Sequence, residues 1–249
     1  MNVTRIDMKK RLIKVIQKEK FNPSIVGFFI NHNFNIRRLL FQKIKKFAPE
    51  LNGKILDFGC GSKPYKPLFT KVKEYIGVDY FIEGRTANID TIDSYYDGKK
   101  IPFEDQFFDG IICTEVLEHV FNIDEVLKEL NRVLKPNGKA IITTPFMWEE
   151  HEMPYDFARY TTPALEFLYN KHGFKVIKKE KSGDTILVLS QFIINYFKNI
   201  FPKNTVLRQL LILPVIFLCN FFGTLFSLLL PKDESSYFNN VFLIEKTEY

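Results

Sequence analysis

Two glycines one residue apart, Gly59 and Gly61 with Cys60 between them, follow the apolar run Ile55-Leu56-Asp57-Phe58. Glycine at such positions lets the backbone take φ > 0 and lets a ligand approach the main chain with no Cβ in the way. A second apolar run, Tyr75 to Val78, ends in Asp79 and Tyr80, at about the spacing at which a carboxylate grips the two hydroxyls of a ribose. The pattern asks for a ligand containing a nucleoside, either a nicotinamide dinucleotide or S-adenosylmethionine. A dinucleotide fingerprint needs a third glycine three residues after the second, and Pro64 stands there, after Ser62 and Lys63. The pyrophosphate reading loses ground. Asp57, just before the turn, is placed to orient the loop or to face the amino group of a sulfonium cofactor.

A second concentration of reactive side chains lies between Thr144 and Thr161. It holds the only tryptophan, Trp148, several other aromatics, the carboxylates of Glu149, Glu150, Glu152 and Asp156, and also His151 and Arg159. That mix suits a lid or an acceptor pocket. If the acceptor is a hydroxyl, a base near neutral pKa is useful, which nominates His151 or His119, with Asp156, Glu152 or Tyr160 orienting the acceptor. Arg159 can instead pair with Asp156 or Glu152 and serve only to fold the loop, and His119 can be a buried structural histidine. A zinc site through His151 is not expected, because neither a cysteine nor a second well-spaced histidine accompanies it.

These residues need a scaffold that brings them to one end. Lys54 to Phe58, Tyr75 to Asp79, Phe107 to Cys113 and Lys139 to Thr144 read as strands, with helical patterns between them. Ile123 to Leu134 is the best helix, with Asn122 as N-cap, Glu125 completing a capping box, and Pro136-Asn137-Gly138 as the stop. Alternating strands and helices predict a doubly wound α/β fold with a mostly parallel sheet, whose chemistry lies beyond the carboxyl ends of the strands.

The chain resembles the class I S-adenosylmethionine-dependent methyltransferases, in particular their type-11 group, from about Lys54 to Ile177. The resemblance rests on six ordered pieces. They are Leu56-Asp57-Phe58-Gly59-Cys60-Gly61, Ile76-Gly77-Val78-Asp79, Asp97 four residues before Ile101-Pro102-Phe103, Phe108-Asp109, Glu115-Val116-Leu117-Glu118-His119-Val120, and Arg132-Val133-Leu134-Lys135-Pro136-Asn137-Gly138. It implies a seven-stranded Rossmann-like sheet and S-adenosylmethionine as cofactor. Gly59 and Gly61 would line the methionine and ribose, Asp79 would hold the ribose hydroxyls, and Asp97 would sit near the adenine amino group. Thr114 and Glu115 would flank the transferable methyl.

The rest of the chain frames this core. Of its 249 residues, 46% are hydrophobic and 26% charged, which excludes a disordered chain, and the net charge of +6 is too diffuse to imply nucleic acid. Cys60, Cys113 and Cys219 fit a reducing compartment. Residues 1–52 read as a basic helical cap, 53–185 as the methyltransferase core, 186–231 as an apolar helical hairpin, and 232–249 as the last strand of the core sheet. The lead-in carries Arg5, Lys9, Lys10, Arg11, Lys14, Lys18 and Lys20 around Leu12, Ile13, Val15 and Ile16, a pattern for anionic lipid or for a cap over the cofactor. Leu210 to Leu230 has no charge and the length of a membrane span, yet the final strand must return to the cytoplasmic side. A hairpin that turns at Pro202-Lys203-Asn204 and dips into or lies on one leaflet meets both conditions, and Pro214 and Asn220 would be awkward in a lone span. A dimer interface is the alternative for this surface. The sequence thus points to O-methylation of a glycan, lipid-linked sugar or isoprenoid-type acceptor at the cytoplasmic membrane face. A nicotinamide-dependent oxidoreductase and a catalytically silent scaffold are the competing classes.

Overall fold

The computed structural model describes residues 19–80, 91–202 and 205–248. Seven strands form one sheet: β1 (Gly53–Phe58), β2 (Val72–Tyr80), β3 (Ser94–Tyr96), β4 (Phe108–Thr114), β5 (Leu134–Pro145), β6 (Phe174–Ser182) and β7 (Asn239–Lys246). Their spatial order is β3-β2-β1-β4-β5-β7-β6. The pairings from β3 across to β5 are parallel, and β7 runs antiparallel to β5 with Ile142 opposite Phe242. Six α-helices have both ends among the described residues: α1 (Ile25–Ile30), α2 (Phe34–Phe47), α3 (Ile123–Val133), α4 (Thr162–Lys171), α5 (Thr185–Ile200) and α6 (Thr205–Leu229).

The chain divides into two compact units, one of Met1–Phe41 with Ser182–Phe238, the other of Gln42–Lys181 with Asn239–Tyr249. The first boundary between the units falls inside α2, where a continuous helix leaves no mark in hydropathy.

In the sheet unit, β1 lies between β2 and β4, and its Ile55 and Leu56 are fully buried. A strand covered on both faces reads as an unbroken apolar run, which is why its position shows in the sequence. The chain direction of the crossovers reverses between β1 and β4, so the crevice at their carboxyl ends is the ligand position of such a sheet. Helix α3 buries Ile123, Val126, Leu127, Leu130 and Val133, a stripe at helical spacing, and each large side chain so buried stabilises the fold by about 1.5–3 kcal/mol. The capping box does not form: Asn122 enters at φ −107°, ψ 81°, and its side chain caps nothing. Asp124 of the first turn instead accepts from Lys171 Nζ at 2.7 Å and lies 2.6 Å from His172 Nε2. The stop also comes earlier than Pro136, because Leu134 is already extended and begins β5. Pro136, Asn137 and Gly138 occupy a bulge between the Phe108–Leu134 and Gly110–Lys139 pairs, with Asn137 at φ +60°.

In the other unit, Asp184 Oδ1 caps α5 by accepting from Leu187 N at 3.0 Å. Helices α5 and α6 pack through Ile194, Ile212 and Ile216. A Cβ on Gly223 would fall 2.4 Å from Ser190 Oγ, so glycine sets their close approach. Asn220 does not face outward from α6: it is fully buried, donates to Phe28 O at 2.8 Å and accepts from Asn35 Nδ2 at 3.2 Å. The backbone bonds Thr185 N to Asp233 O, 2.9 Å, and Phe238 N to Ser182 O, 2.8 Å, bring the departure and return of the excursion together. Leu210–Leu229, 20 residues of mean hydropathy 2.2, is long and apolar enough to cross a membrane. Lys203 and Asn204 of the expected turn, and the lead-in up to residue 18, lie outside the described residues.

Candidate active site

The glycine turn leaves β1 and hooks over β2. Gly59 N and Cys60 N donate to Val78 O at 2.8 and 3.1 Å, and Gly61 N donates to Asp79 Oδ2 at 2.9 Å. Asp79 Oδ1 also accepts from Tyr80 N at 2.8 Å, so the carboxylate is locked against the loop at the end of β2. The two glycines serve different ends. At Gly59, φ +72°, a Cβ would meet Val116 Cγ2 at 2.2 Å, so packing forbids it. At Gly61, φ +47°, no atom lies within 4 Å of where the Cβ would be. That open cradle beside a carboxylate fits a nucleoside cofactor. Cys60 is buried and its thiol is pushed up to about 12, chiefly by desolvation with Asp57 adding to it, so it lines the turn without acting as a nucleophile.

Asp57 lies beneath the loop and is 4% exposed. It accepts a 2.6 Å hydrogen bond from the Tyr75 hydroxyl, yet burial dominates and raises its carboxyl from 3.8 to about 7. Lys63 opposes that rise, and Asp79 and Asp93 reinforce it. Asp93 accepts from Gly77 N at 2.6 Å and pairs with Lys63, which tethers the far side of the pocket. Asp97 is exposed, and its Oδ1 accepts from Lys99 N and Lys100 N at 2.8 Å each, so it closes the turn after β3. Tyr80 is exposed beside Tyr96.

Thr114 ends β4, and Glu115 follows at φ +54°. Glu115 is held at both oxygens: Oε1 accepts from Thr143 Oγ1 at 2.8 Å and Oε2 from Asn239 Nδ2 at 2.7 Å. The next turn, Leu117–His119, turns Glu118 inward, where its side chain is 0% exposed and neither oxygen has a hydrogen-bond partner. Desolvation holds that carboxyl well above its ordinary range, and the charge of Glu115 adds to the rise.

The loop after β5 closes over this turn. Phe157 N donates to Glu118 O at 2.8 Å, and Phe121 and Phe157 meet edge to face. His119 Nδ1 lies 2.6 Å from Tyr155 O, and the His119 and His151 rings stand 4.9 Å apart, edge to face. The structure thus joins the two histidines nominated as bases. Asp156 takes the loop-folding role: its carboxylate receives the Arg159 guanidinium at 2.6 and 2.7 Å and the His151 N–H at 2.9 Å. Arg159 holds that carboxyl down at about 2. His151 Nδ1 lies 3.2 Å from Asp156 Oδ2, so Asp156 stands between Arg159 and His151. Burial lowers the His151 pKa against the pull of Asp156. Tyr160 is half-buried against the core, and its backbone O accepts from Asn240 Nδ2 at 2.9 Å. Sequence spacing passes over Glu118, although it sits within the Glu115-to-Val120 piece. Spacing also offers no second histidine for a metal, yet Glu118, His119 and His151 each offer a donor atom within 4.8 Å of the others.

Residues 32–179, more than half of the chain, match the family described as "Methyltransferase domain". Among curated proteins, the ubiquinone biosynthesis O-methyltransferase of Rickettsia felis is 32% identical over 132 residues, 47% of this chain and 52% of that protein. The chain therefore spans about half the length of the curated relatives it matches. A phosphoethanolamine N-methyltransferase of Haemonchus contortus, solved with S-adenosyl-L-methionine, superposes with TM-score 0.53 at 16% identity over 93% of this chain and 59% of that one. The [4+2]-cyclase SpnF superposes with TM-score 0.54 at 16% identity over 83% and 82% of the two chains. Likeness to a cyclase shows that the fold alone does not choose a reaction, whereas the ordered motifs and the family match do. With a glycine cradle open at Gly61, a carboxylate locked beside it and a family match over most of the sheet unit, the chain belongs to the class I S-adenosylmethionine-dependent methyltransferases.

Proposed function

We propose that the protein methylates a hydroxyl oxygen of a membrane-derived acceptor, an isoprenoid-type lipid before a lipid-linked sugar or glycan, at the cytoplasmic membrane face. The carrying observation is the α5–α6 excursion, which leaves Leu210, Leu228 and Leu229 exposed by 66, 77 and 69% and whose two ends are bonded to each other. Each such side chain gains about 1.5–3 kcal/mol on leaving water. Ends that meet keep the hairpin's departure and return on one side of a bilayer, as in a monotopic protein. The relatives named for O-methylation in ubiquinone biosynthesis favour the isoprenoid-type acceptor.

S-adenosylmethionine, when bound, supplies a methyl group on a sulfonium. The chain's own residues do the remainder. The Gly59–Gly61 main chain and Asp79 would hold the nucleoside, Asp57 would meet the amino group, and Thr114 with Glu115 would border the reacting end. Alignment and exclusion of water do most of the work in a direct displacement. The loop over residues 146–161 provides the cover, and His151 or His119 takes the hydroxyl proton.

The test is a transfer assay with methyl-labelled S-adenosylmethionine and purified protein in mixed micelles, offered the total lipid extract and, separately, the aqueous extract of the source cells. Label should enter the organic phase in a bond stable to mild base, as an ether is. Label confined to water-soluble products, or recovery of a soluble dimer without detergent, would refute the reading.

A further inference from the structure

We propose that α1 is a second lipid-contacting element, seated with α6 at the boundary between acyl chains and headgroups of a membrane rich in anionic lipid. The inference rests on the membrane reading of the α5–α6 excursion and adds to it a named contact and a lipid preference. Residues 21–36 contain no Asp, Glu, Lys or Arg. Within them α1 leaves Ile25, Val26, Phe29 and Ile30 exposed, Ile25 by 75%, and buries only Gly27. Both ends of this short helix are fastened. Ser24 Oγ accepts from Val26 N at 3.2 Å, Glu19 Oε2 accepts from Ser24 N at 2.9 Å, and Asn31 N donates to Gly27 O at 2.8 Å. The segment is therefore a formed element that presents an apolar face, not a loose connector.

Two features identify the occupant of that face. The first is continuity with α6, whose Leu210, Phe217, Phe221 and Leu228 recur at helical spacing and are all exposed. The Phe29 ring stacks on Phe217, centroids 5.5 Å apart and planes within 8°, so α1 extends the same apolar face. Asn220 of α6 secures it by donating to Phe28 O at 2.8 Å. Hydrogen bonds of this kind hold helices together in lipid, where apolar packing has no water to escape from. The second feature is charge. Lys20 Nζ lies 5.4 Å and Arg37 Cζ 5.5 Å from the centre of the Phe21 ring, and Arg38 Cζ lies 5.6 Å from that of Phe34. None of the three cations has a carboxylate partner among the described residues. Cations resting on aromatic rings beside an apolar face suit the headgroup layer of an anionic membrane. A second copy of the chain fits less well, because a two-fold interface sets each patch against itself and brings these cations toward their own kind.

Full-length protein is diluted from detergent into vesicles of phosphatidylglycerol mixed with phosphatidylethanolamine, or of phosphatidylcholine alone, and flotation is measured. Val26→Gln together with Ile30→Gln should weaken partition at least about 100-fold, since each large apolar side chain withheld from lipid costs about 10-fold or more. Lys20→Gln and Arg38→Gln should each cost about 5-fold on the anionic vesicles and leave flotation on phosphatidylcholine unchanged. In a Trp148→Phe background, the fluorescence of Ile25→Trp should be quenched by bromine carried on the acyl chains. Circular dichroism and S-adenosylmethionine binding report that the variants fold. Flotation of the Val26 and Ile30 variant equal to the parent's, or no quenching at position 25, overturns the α1 contact. If changing the α6 leucines still abolishes flotation in that case, the membrane reading stands without α1. A detergent-free dimer that ignores vesicles gives the face to a second copy and overturns both. If the α1 variants lose flotation while methyl label enters only water-soluble products, the acceptor assignment fails and the lipid contact stands.

Discussion

Replacing Asp57 by asparagine should make the apoprotein more stable at alkaline pH, by an amount set by the burial of its carboxyl. A carboxyl raised in the fold is bound more tightly to its proton there than in the unfolded chain. Its contribution is therefore intact below its ordinary 3.8, is lost progressively as pH rises, and is lost in full above about 7. At about 1.4 kcal/mol per pH unit, that interval amounts to about 4 kcal/mol. The asparagine side chain keeps the shape and can still accept from the Tyr75 hydroxyl, which lies 2.6 Å from the Asp57 carboxylate, but it does not titrate. The stability difference between variant and parent should therefore grow by about 4 kcal/mol in the variant's favour between pH 4 and pH 8. Urea unfolding at a series of pH values, followed through Trp148 fluorescence, measures it. A difference flat to within about 0.5 kcal/mol across that range would refute the claim that desolvation outweighs Tyr75 and Lys63 at this carboxyl. With the pKa near 7, about half of the molecules carry the proton at neutral pH, and a cofactor amino group that keeps Asp57 ionised must expel it. Calorimetric binding enthalpies should then depend on the ionisation enthalpy of the buffer.

The glycines give a separable pair. Gly59→Ala should lose about 2–5 kcal/mol of stability, from positive φ together with the collision at Val116, whereas Gly61→Ala should lose only about 1–2 kcal/mol yet weaken S-adenosylmethionine binding at least about 10-fold. Normal binding by Gly61→Ala would show that no ligand lies against that Cα. Arg159→Ala leaves the Asp156 carboxylate, 1% exposed, without its partner and should lower stability by about 3–5 kcal/mol in a thermal melt. Lysine should not restore it, because the paired contacts need the guanidinium fork. Changing Leu210, Leu228 and Leu229 together to glutamine should reduce flotation with liposomes at least about 100-fold and leave S-adenosylmethionine binding unchanged. Unchanged flotation would remove the hairpin from the membrane argument.

The central strands were legible because burial on both faces forces contiguous apolar runs, and strand order then brings Gly61 and Asp79 together although eighteen residues separate them. Strand β3, Ser94–Tyr96, is too short to carry a pattern, and the Lys-rich β6, Phe174–Ser182, does not resemble a buried strand. The helix does start after Asn122, but its side-chain cap does not form, because a capping residue works only in the right φ, ψ, and Asp124 of the first turn has its partners on α4 and just beyond it. In the site, residue types named His119 and His151, but only the folded loop could set their rings 4.9 Å apart. Glu118 was hidden for a deeper reason. Being buried without a hydrogen bond is a property of surroundings, and no spacing encodes it.

The bond from Phe238 N to Ser182 O carries a further consequence. About 55 residues, 183 to 237, intervene between those atoms, yet the chain comes back to the place it left. The excursion is an insertion between β6 and β7, neighbours in the sheet, and it packs on the chain's opening helices through the bonds of Asn220 to Phe28 and Asn35. Glu118, His119, His151 and the glycine turn all lie outside the inserted stretch. The exposed leucines of α6 and the residues of the glycine turn thus lie in separate parts of the chain.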